Sequence, residues 1–266
     1  MNILVFDIET VPDTDTGRQL YDLDGLSDID VAQAMFNIRR QKTGGSEFLP
    51  HHLQRIVAIS AVFCSSDTLN VWSLGEEDSS EAELVQRFFD GVDKYSPTLV
   101  SWNGGGFDLP VLHYRALKHK ISAHRYWETG AEDNSFKWNN YISRYHSRHT
   151  DVMDILAMYT GRANAPLDEV STMLGFPGKM GMSGSKVWDA FCDGEIKGIR
   201  NYCETDVLNT YLVYLRYELM RGIISATELD HQEQRLMQWL ESREEPHFIE
   251  FLKIWRLKAE SYLFKK

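Results

Sequence analysis

Val5-Phe6-Asp7-Ile8-Glu9-Thr10 sets two carboxylates, one residue apart, at the end of the chain's first apolar strand. Strand side chains alternate in direction, so Asp7 and Glu9 project from one face, about 6.8 Å apart along the chain. Two like charges that close are unfavourable unless a cation sits between them. A divalent ion that prefers oxygen ligands, Mg²⁺ or Mn²⁺, is the simplest such cation. Alone, Asp-x-Glu is a weak signal that arises by chance and often caps a turn. It gains weight only if other acids converge on the same point.

Around this stretch the pattern alternates between strand and helix. Strand Asn2 to Phe6 leads into an irregular acidic stretch through Ser27, and Ser27-Asp28-Ile29-Asp30 then caps a helix to about Lys42, ended by Gly44 and Gly45. Strands Arg55 to Cys64 and Leu69 to Leu74 follow, turned by Ser65, Ser66 and Asp67. Ser80-x-x-Glu83 opens a helix to about Tyr95, with Leu84, Phe88 and Val92 recurring every four residues. Thr98 to Trp102 reads as a short strand broken by Asn103-Gly104-Gly105-Gly106, and Leu109 to about Lys118 as a helix with Pro110 in its first turn. Ala123 to His149 reads as strand and loop, Asp151 to Thr160 and Leu167 to Leu174 as short helices, and Gly175 to Gly184 as a mobile loop. Helices Ser185 to Cys192 and Glu195 to about Arg221 precede a helical tail, Ala226 to Lys266, interrupted at Pro246. This is an α/β pattern: a mixed sheet covered by helices.

A chain of 266 residues, 43% hydrophobic and 25% charged, reads as a soluble globular protein. No apolar run is long enough to span a bilayer. The opening strand has no basic segment or cleavage site before it, so no secretory signal is expected. Cys64, Cys192 and Cys203 lack Cys-x-x-Cys spacing and are expected as buried free thiols in a reducing, cytoplasmic setting. The net charge of −11 argues against duplex binding by a broad basic surface. It leaves room for a nucleic-acid enzyme in which a few local cations and bound metal hold the phosphates.

Asp108 is the third acid. It follows a strand, a glycine break and Phe107, and precedes a helix; a helix N-cap is the plain alternative. The fourth is Asp206, one turn after Tyr202 on a helix whose apolar stripe is Ile199, Cys203 and Val207. A desolvated carboxylate beside a buried stripe needs a partner. The plain alternative is a rim tyrosine and a solvated charge.

Taken in order, Asp-x-Glu, Asn-x-x-x-Phe-Asp and Tyr-x-x-x-Asp resemble the three exonuclease motifs of the DEDD superfamily over roughly residues 1 to 222. The Tyr subtype fits, since the His subtype would want histidine where Asn201 stands. Phe6 to Thr10, Trp102 to Pro110 and Tyr202 to Val207 are most similar to the proofreading exonuclease of family B DNA polymerases, and specifically to its stand-alone bacterial relatives. The resemblance implies a ribonuclease-H-like fold with a five-stranded sheet, residues 1–222, and a helical extension, residues 223–266. It implies 3′–5′ hydrolysis of single-stranded 3′ ends, DNA favoured, with release of nucleoside monophosphates. It also implies two divalent ions, Mg²⁺ or Mn²⁺: Asp7, Glu9 and Asp206 holding one, Asp7 bridging to the second, and Asp108 supporting the second through water. Tyr202, with an ordinary pKa near 10, suits orienting a water better than acting as a base.

Other residues carry two readings each. Asn103 either touches the terminal nucleotide or feeds a turn. Thr10 could meet the terminal sugar, and Phe107 a base; Trp102 reads as core. One of Asp151 and Asp154 caps a helix, with a supporting role near the site conceivable. His146 and His149 lack the other ligands of a zinc site. The glycine-rich loop, which lacks P-loop spacing, offers Lys179 and Lys186 as a clamp on the nucleic-acid backbone, or is only a connection. The apolar tail either packs back on the domain or binds another protein chain. Two rival functions remain: an RNA-trimming exonuclease with the same site, and a non-catalytic scaffold.

Overall fold

The first strand runs further than its apolar residues predict. In the computed structural model, which describes residues 2–263, β1 spans Ile3–Pro12 rather than ending at Phe6. Its partner explains the extension: β2 (Gln54–Cys64) pairs antiparallel with it from Ile3 opposite Cys64 to Pro12 opposite Gln54. Backbone pairing holds Asp7, Glu9 and Thr10 in an extended conformation that local propensity does not favour. β3 (Leu69–Ser73) adds an antiparallel edge. On the other side β4 (Thr98–Ser101) runs parallel to β1 and β5 (His149–Asp151) parallel to β4. The order β3-β2-β1-β4-β5 is the expected mixed five-stranded, ribonuclease-H-like sheet. β1 and β4 pair only from Ile3–Thr98 to Val5–Val100, so past Val5 one side of β1 is open. The acids gather at that opening.

The helices in chain order are α1 (Thr14–Leu20), α2 (Asp28–Thr43), α3 (Glu81–Tyr95), α4 (Asp108–His119), α5 (Val152–Leu156) and α6 (Leu167–Met173). They continue with α7 (Val187–Cys192), α8 (Ile196–Met220), α9 (Ala226–Glu241) and α10 (Pro246–Leu263). Ser27 and Ser80 cap α2 and α3 as expected. α1 falls in the stretch read as irregular; Asp13 caps it by accepting the Thr16 N–H at 3.2 Å. The helix expected over Asp151–Thr160 is shorter, because residues 149–151 are drawn into the sheet and Met158 and Tyr159 turn left-handed. Residues 123–148 form turns around one short 3₁₀ segment, without the strand expected there.

Alternation along β1 sorts the core into two layers. Leu4, Phe6 and Ile8 pack with Phe88, Val111 and Leu112 under α3 and α4. Val5 faces Val207 and Tyr211 of α8, so Asp7 and Glu9, two and four residues on, share α8's side. The tail packs back on that layer. Leu236 of α9 and Phe251 and Trp255 of α10 join the same cluster, and Lys258 Nζ donates to the carbonyls of Phe176 and Pro177 at 2.9 and 3.0 Å. The last three positions of the expected tail lie outside the described residues. Cys64 and Cys203 are buried as expected, whereas Cys192, the last residue of α7, is exposed.

A buried ion network, unforeseen in the sequence, fixes α4. Arg115, 2% exposed, donates to Asp13 Oδ2 at 2.6 Å and Glu81 Oε2 at 2.5 Å. Lys118 joins Asp13, His119 joins Glu81, and Glu81 Oε1 accepts the Ile56 N–H at 2.6 Å. One cation thereby ties α4 to the end of β1 and the start of both β2 and α3.

Candidate active site

Asp7 and Glu9 stand on β1 facing α8, and with Cys203 they bring ligand-type atoms within 4.8 Å of one another. Cys203 lies 3.4 Å from the Asp7 carbonyl and 3.5 Å from Asp7 Oδ2, and its thiol donates to both. Burial, then Asp7 and Glu9, push that thiol well above its usual pKa. In the metal-free chain the thiol therefore keeps its proton, within hydrogen-bond reach of the Asp7 carboxylate. The sequence reading took Cys203 as core alone, because contact across 196 positions leaves no local trace.

Asp108 is the first residue of α4, and it does not act as the cap. Phe107 holds the cap position without a side-chain bond, while Asp108 Oδ1 accepts the Ile8 N–H at 3.1 Å. It thus occupies the edge of β1 that β4 has left. Burial raises its pKa to about 7, against the lowering effect of backbone N–H bonds. Asp206 rises to about 6, first through burial, held back by a hydrogen bond from Tyr202 and by the ammonium of Lys179. Asp7 is raised by burial and then by Asp108, Glu9 and Asp206; Glu9 is raised by burial and then by Asp206 and Asp108. Four carboxylates from β1, α4 and α8 thus act on one another. Tyr202 is driven well above its usual pKa by burial and then by Asp206, Glu9 and Asp7, so its hydroxyl keeps its proton.

The loop that delivers Asp108 is latched by Asp151. Its Oδ1 accepts the N–H groups of Asn103 (3.0 Å) and Asp154 (3.2 Å), and its Oδ2 accepts Gly105 N–H at 2.9 Å. One carboxylate so caps α5 and shapes the β4–α4 turn. Asn103 sits there with φ 65°, a left-handed conformation that Asn tolerates. The neighbouring glycines are required by the loop itself: a Cβ at Gly104 would overlap the Ser101 side chain, and one at Gly106 the Asn103 amide.

The remaining candidates divide. Thr10 spends its hydroxyl proton on Gln54 Oε1 at 3.0 Å. Phe107 packs against Phe48 and His51, centroids 5.4 and 5.7 Å away, and Phe48 is exposed. Those two neighbours were missed, since nothing in their own spacing marks them. Trp102 joins the core. Lys179 is exposed and acts on Asp206, but the loop before it is not mobile in the expected sense: Gly175–Gly178 is buried, and Asn209 bonds both the N–H and the carbonyl of Gly178 at 3.0 Å. Lys186 lies apart, in a shallow recess with Asp189, Asp193 and Glu195. His149 is buried beside Ser101 and His146 accepts the Asn140 N–H, both in structural roles. No helix among the described residues is long and apolar enough to cross a membrane.

Beside the central strand of a mixed five-stranded sheet, Asp7 and Glu9 thus stand together with Cys203, and the charges of Asp108 and Asp206 reach them. Residues 46–255 match the family described as "Predicted 3'-5' exonuclease related to the exonuclease domain of PolB", and the chain belongs to that family. Membership implies dependence on a divalent metal, and the clustered acids agree with it. A stretch of 43 residues, 16% of the chain, is 49% identical to DNA polymerase 1 of Sulfurisphaera ohwakuensis, of which it covers 5%. The family B DNA polymerase of the archaeon Pyrobaculum calidifontis superposes with TM-score 0.49 and 18% identity over 83% of this chain and 24% of its own. Product-bound exonuclease I gives TM-score 0.36 and 12% identity over 83% and 48%. The chain therefore spans less than half the length of each of these relatives.

Proposed function

We propose that this chain is a metal-dependent 3′–5′ exonuclease of the Tyr subtype that hydrolyses the last phosphodiester of a single strand and releases nucleoside monophosphates. The observation that carries the reading is the placement of the acids: Asp7 and Glu9 side by side on β1 facing α8, Asp108 bonded to the Ile8 N–H between them, and Asp206 close enough on α8 for its charge to reach both. So many buried carboxylates in one place are costly without cations, and an all-oxygen donor set suits Mg²⁺ or Mn²⁺. Polarity follows from the family, and the preference for DNA from its kinship with a polymerase domain. We assign the exonuclease unit to residues 1–222 and a bracing role to the helices beyond.

Asp7, Glu9 and Asp206 would hold one ion, and Asp7 with Asp108 a second. Bound divalent ions supply Lewis acidity, which makes water nucleophilic near neutral pH and absorbs charge on the leaving oxygen. The chain's own groups do the rest. Tyr202 keeps its proton, donates to Asp206 and offers its oxygen lone pairs to orient the attacking water. Cys203 holds the Asp7 carboxylate in one rotamer. Phe107, backed by Phe48 and His51, offers a ring on which the terminal base can stack. Lys179 supplies positive charge for a phosphate beside Asp206.

Digestion of a labelled single-stranded DNA oligonucleotide with Mn²⁺, against EDTA and against matched RNA, tests the reading. Shortening one nucleotide at a time from the 3′ end is expected with Mn²⁺ alone; tight Mn²⁺ binding by calorimetry without any digestion would favour a scaffold. Tyr202→Phe is expected to lower kcat about 100-fold with little change in Mn²⁺ affinity. An unchanged rate removes Tyr202 from the mechanism.

A further inference from the structure

A cleft on the other side of α4's first turn plays no part in the chemistry described so far. Helical spacing turns Asp108, Val111, Leu112 and Arg115 inward, and Pro110 and His113 toward the 123–148 segment. Between that helix face and the segment lies a half-open cleft of about 220 Å³, lined in part by Gly105, Pro110, His113, Tyr126, Trp127 and Arg144. It is smaller than the roughly 300–1,000 Å³ of drug-sized sites and has room for one flat ring system.

Trp127 dominates its wall. The indole centroid lies 4.9 Å from that of His113 and 5.3 Å from that of Tyr126, yet the residue is 51% exposed. Tyr126 is itself fixed, stacked on Tyr141 at 5.5 Å, and Tyr141 donates its hydroxyl to the Pro97 carbonyl at 2.6 Å. An indole braced by two rings and open to solvent is a rigid stacking surface. The ordinary explanation of a half-exposed tryptophan, a core residue at the rim, does not account for a cleft in front of it or a cation beside it. That cation is Arg144, whose side chain is 53% exposed and which engages Asp154 through Nη2. Gly105 connects the two sites: it lines the cleft and belongs to the turn that ends in Asp108.

A strand whose 3′ end lies among the acids must leave them in its 5′ direction. We propose that this cleft binds a nucleobase of the substrate strand, 5′ of the scissile phosphate, stacked on Trp127 with Arg144 meeting an adjoining phosphate. This rests on the exonuclease reading above. Stacking tolerates any base, so the cleft adds affinity for a strand without sequence preference.

The test compares a long substrate with one too short to reach the cleft: single-stranded oligothymidylate against the p-nitrophenyl ester of thymidine 5′-monophosphate. Trp127→Ala is expected to lower the ratio of their kcat/KM values about tenfold, and Trp127→Phe to recover most of it. Equal losses on both substrates, or Phe no better than Ala, overturn the proposal. Binding of fluorescein-labelled oligothymidylate in EDTA reads the cleft without turnover. There Trp127→Ala weakens binding about tenfold, and Arg144→Gln, at an exposed position, lowers the slope of log affinity against log salt by about 0.7. Unaltered binding and slope in both variants overturn it. Hydrolysis of neither substrate, with these binding changes present, would defeat the exonuclease reading and leave the cleft assignment standing.

Discussion

Asp206→Asn is expected to make the metal-free protein more stable while lowering its exonuclease rate by about 10³ or more. The carboxyl rises to about 6 in the folded chain because burial penalises its charge. In the unfolded chain an aspartate titrates near 3.9, so at pH 8 holding Asp206 ionised costs on the order of 2–3 kcal/mol. Asn keeps the oxygen that accepts from Tyr202 and removes the charge. The sign over pH follows from linkage. Between about pH 4 and 7 the folded state holds more protons than the unfolded state, because Asp206 and Asp108 titrate near 6 and 7. The stabilisation is complete below the unfolded pKa and is lost as pH rises through the folded values. Urea melts in EDTA should therefore show a wider stability gap between Asp206→Asn and the wild type at pH 8 than at pH 5, a comparison in which the opposite contributions of the buried His113 and His149 cancel, and Mn²⁺ should narrow the gap. A variant less stable than wild type in EDTA at pH 8 would mean that Asp206 is held by partners other than cations.

Arg115→Met is the second large effect, and it acts through the fold. It leaves Asp13 and Glu81 buried, with only the peripheral Lys118 and His119 as partners. Removing one member of a buried ion pair costs about 3–5 kcal/mol. For a chain of this size that is a fall in Tm of about 10 °C. Burial works to raise the Asp13 carboxyl, but hydrogen bonds from Arg115, Lys118 and Thr16 outweigh it and hold the group well below the usual range. Its contribution is therefore present above the unfolded value near 3.9 and is lost as pH falls further. Wild type should lose more stability than Arg115→Met between pH 7 and pH 3, and an equal Tm for the two proteins at pH 7 would sink the argument. Arg115 shares an α4 face with Asp108, so a fall in kcat should accompany the loss of stability.

Legibility in the sequence followed the range of the cause. Serine caps at Ser27 and Ser80, the Ser65–Asp67 turn and the four-residue spacing of α3 and α8 act within one or two turns, and each was readable. The ordered motifs around Asp7, Asp108 and Asp206 were readable too, because they carry chemistry in short stretches. The features that failed to show are contacts across long separations. β1 extends to Pro12 because β2 pairs with it, and residues 149–151 become β5 because β4 lies alongside. Arg115 reaches Asp13 across 102 positions, and Asp151 reaches Asn103 across 48.

From its residues alone the chain determined its α/β class, its family kinship and which acids are candidates, since alternation, capping and motif order are local properties. Tertiary structure decided how those acids are held: Asp108 on the Ile8 amide rather than on its own helix, Cys203 against Asp7, and Asp151 as the latch of the turn between them. The reason is physical. A side chain's chemistry is written in its own position, whereas its charge state and orientation depend on burial and on partners that only the folded chain brings near.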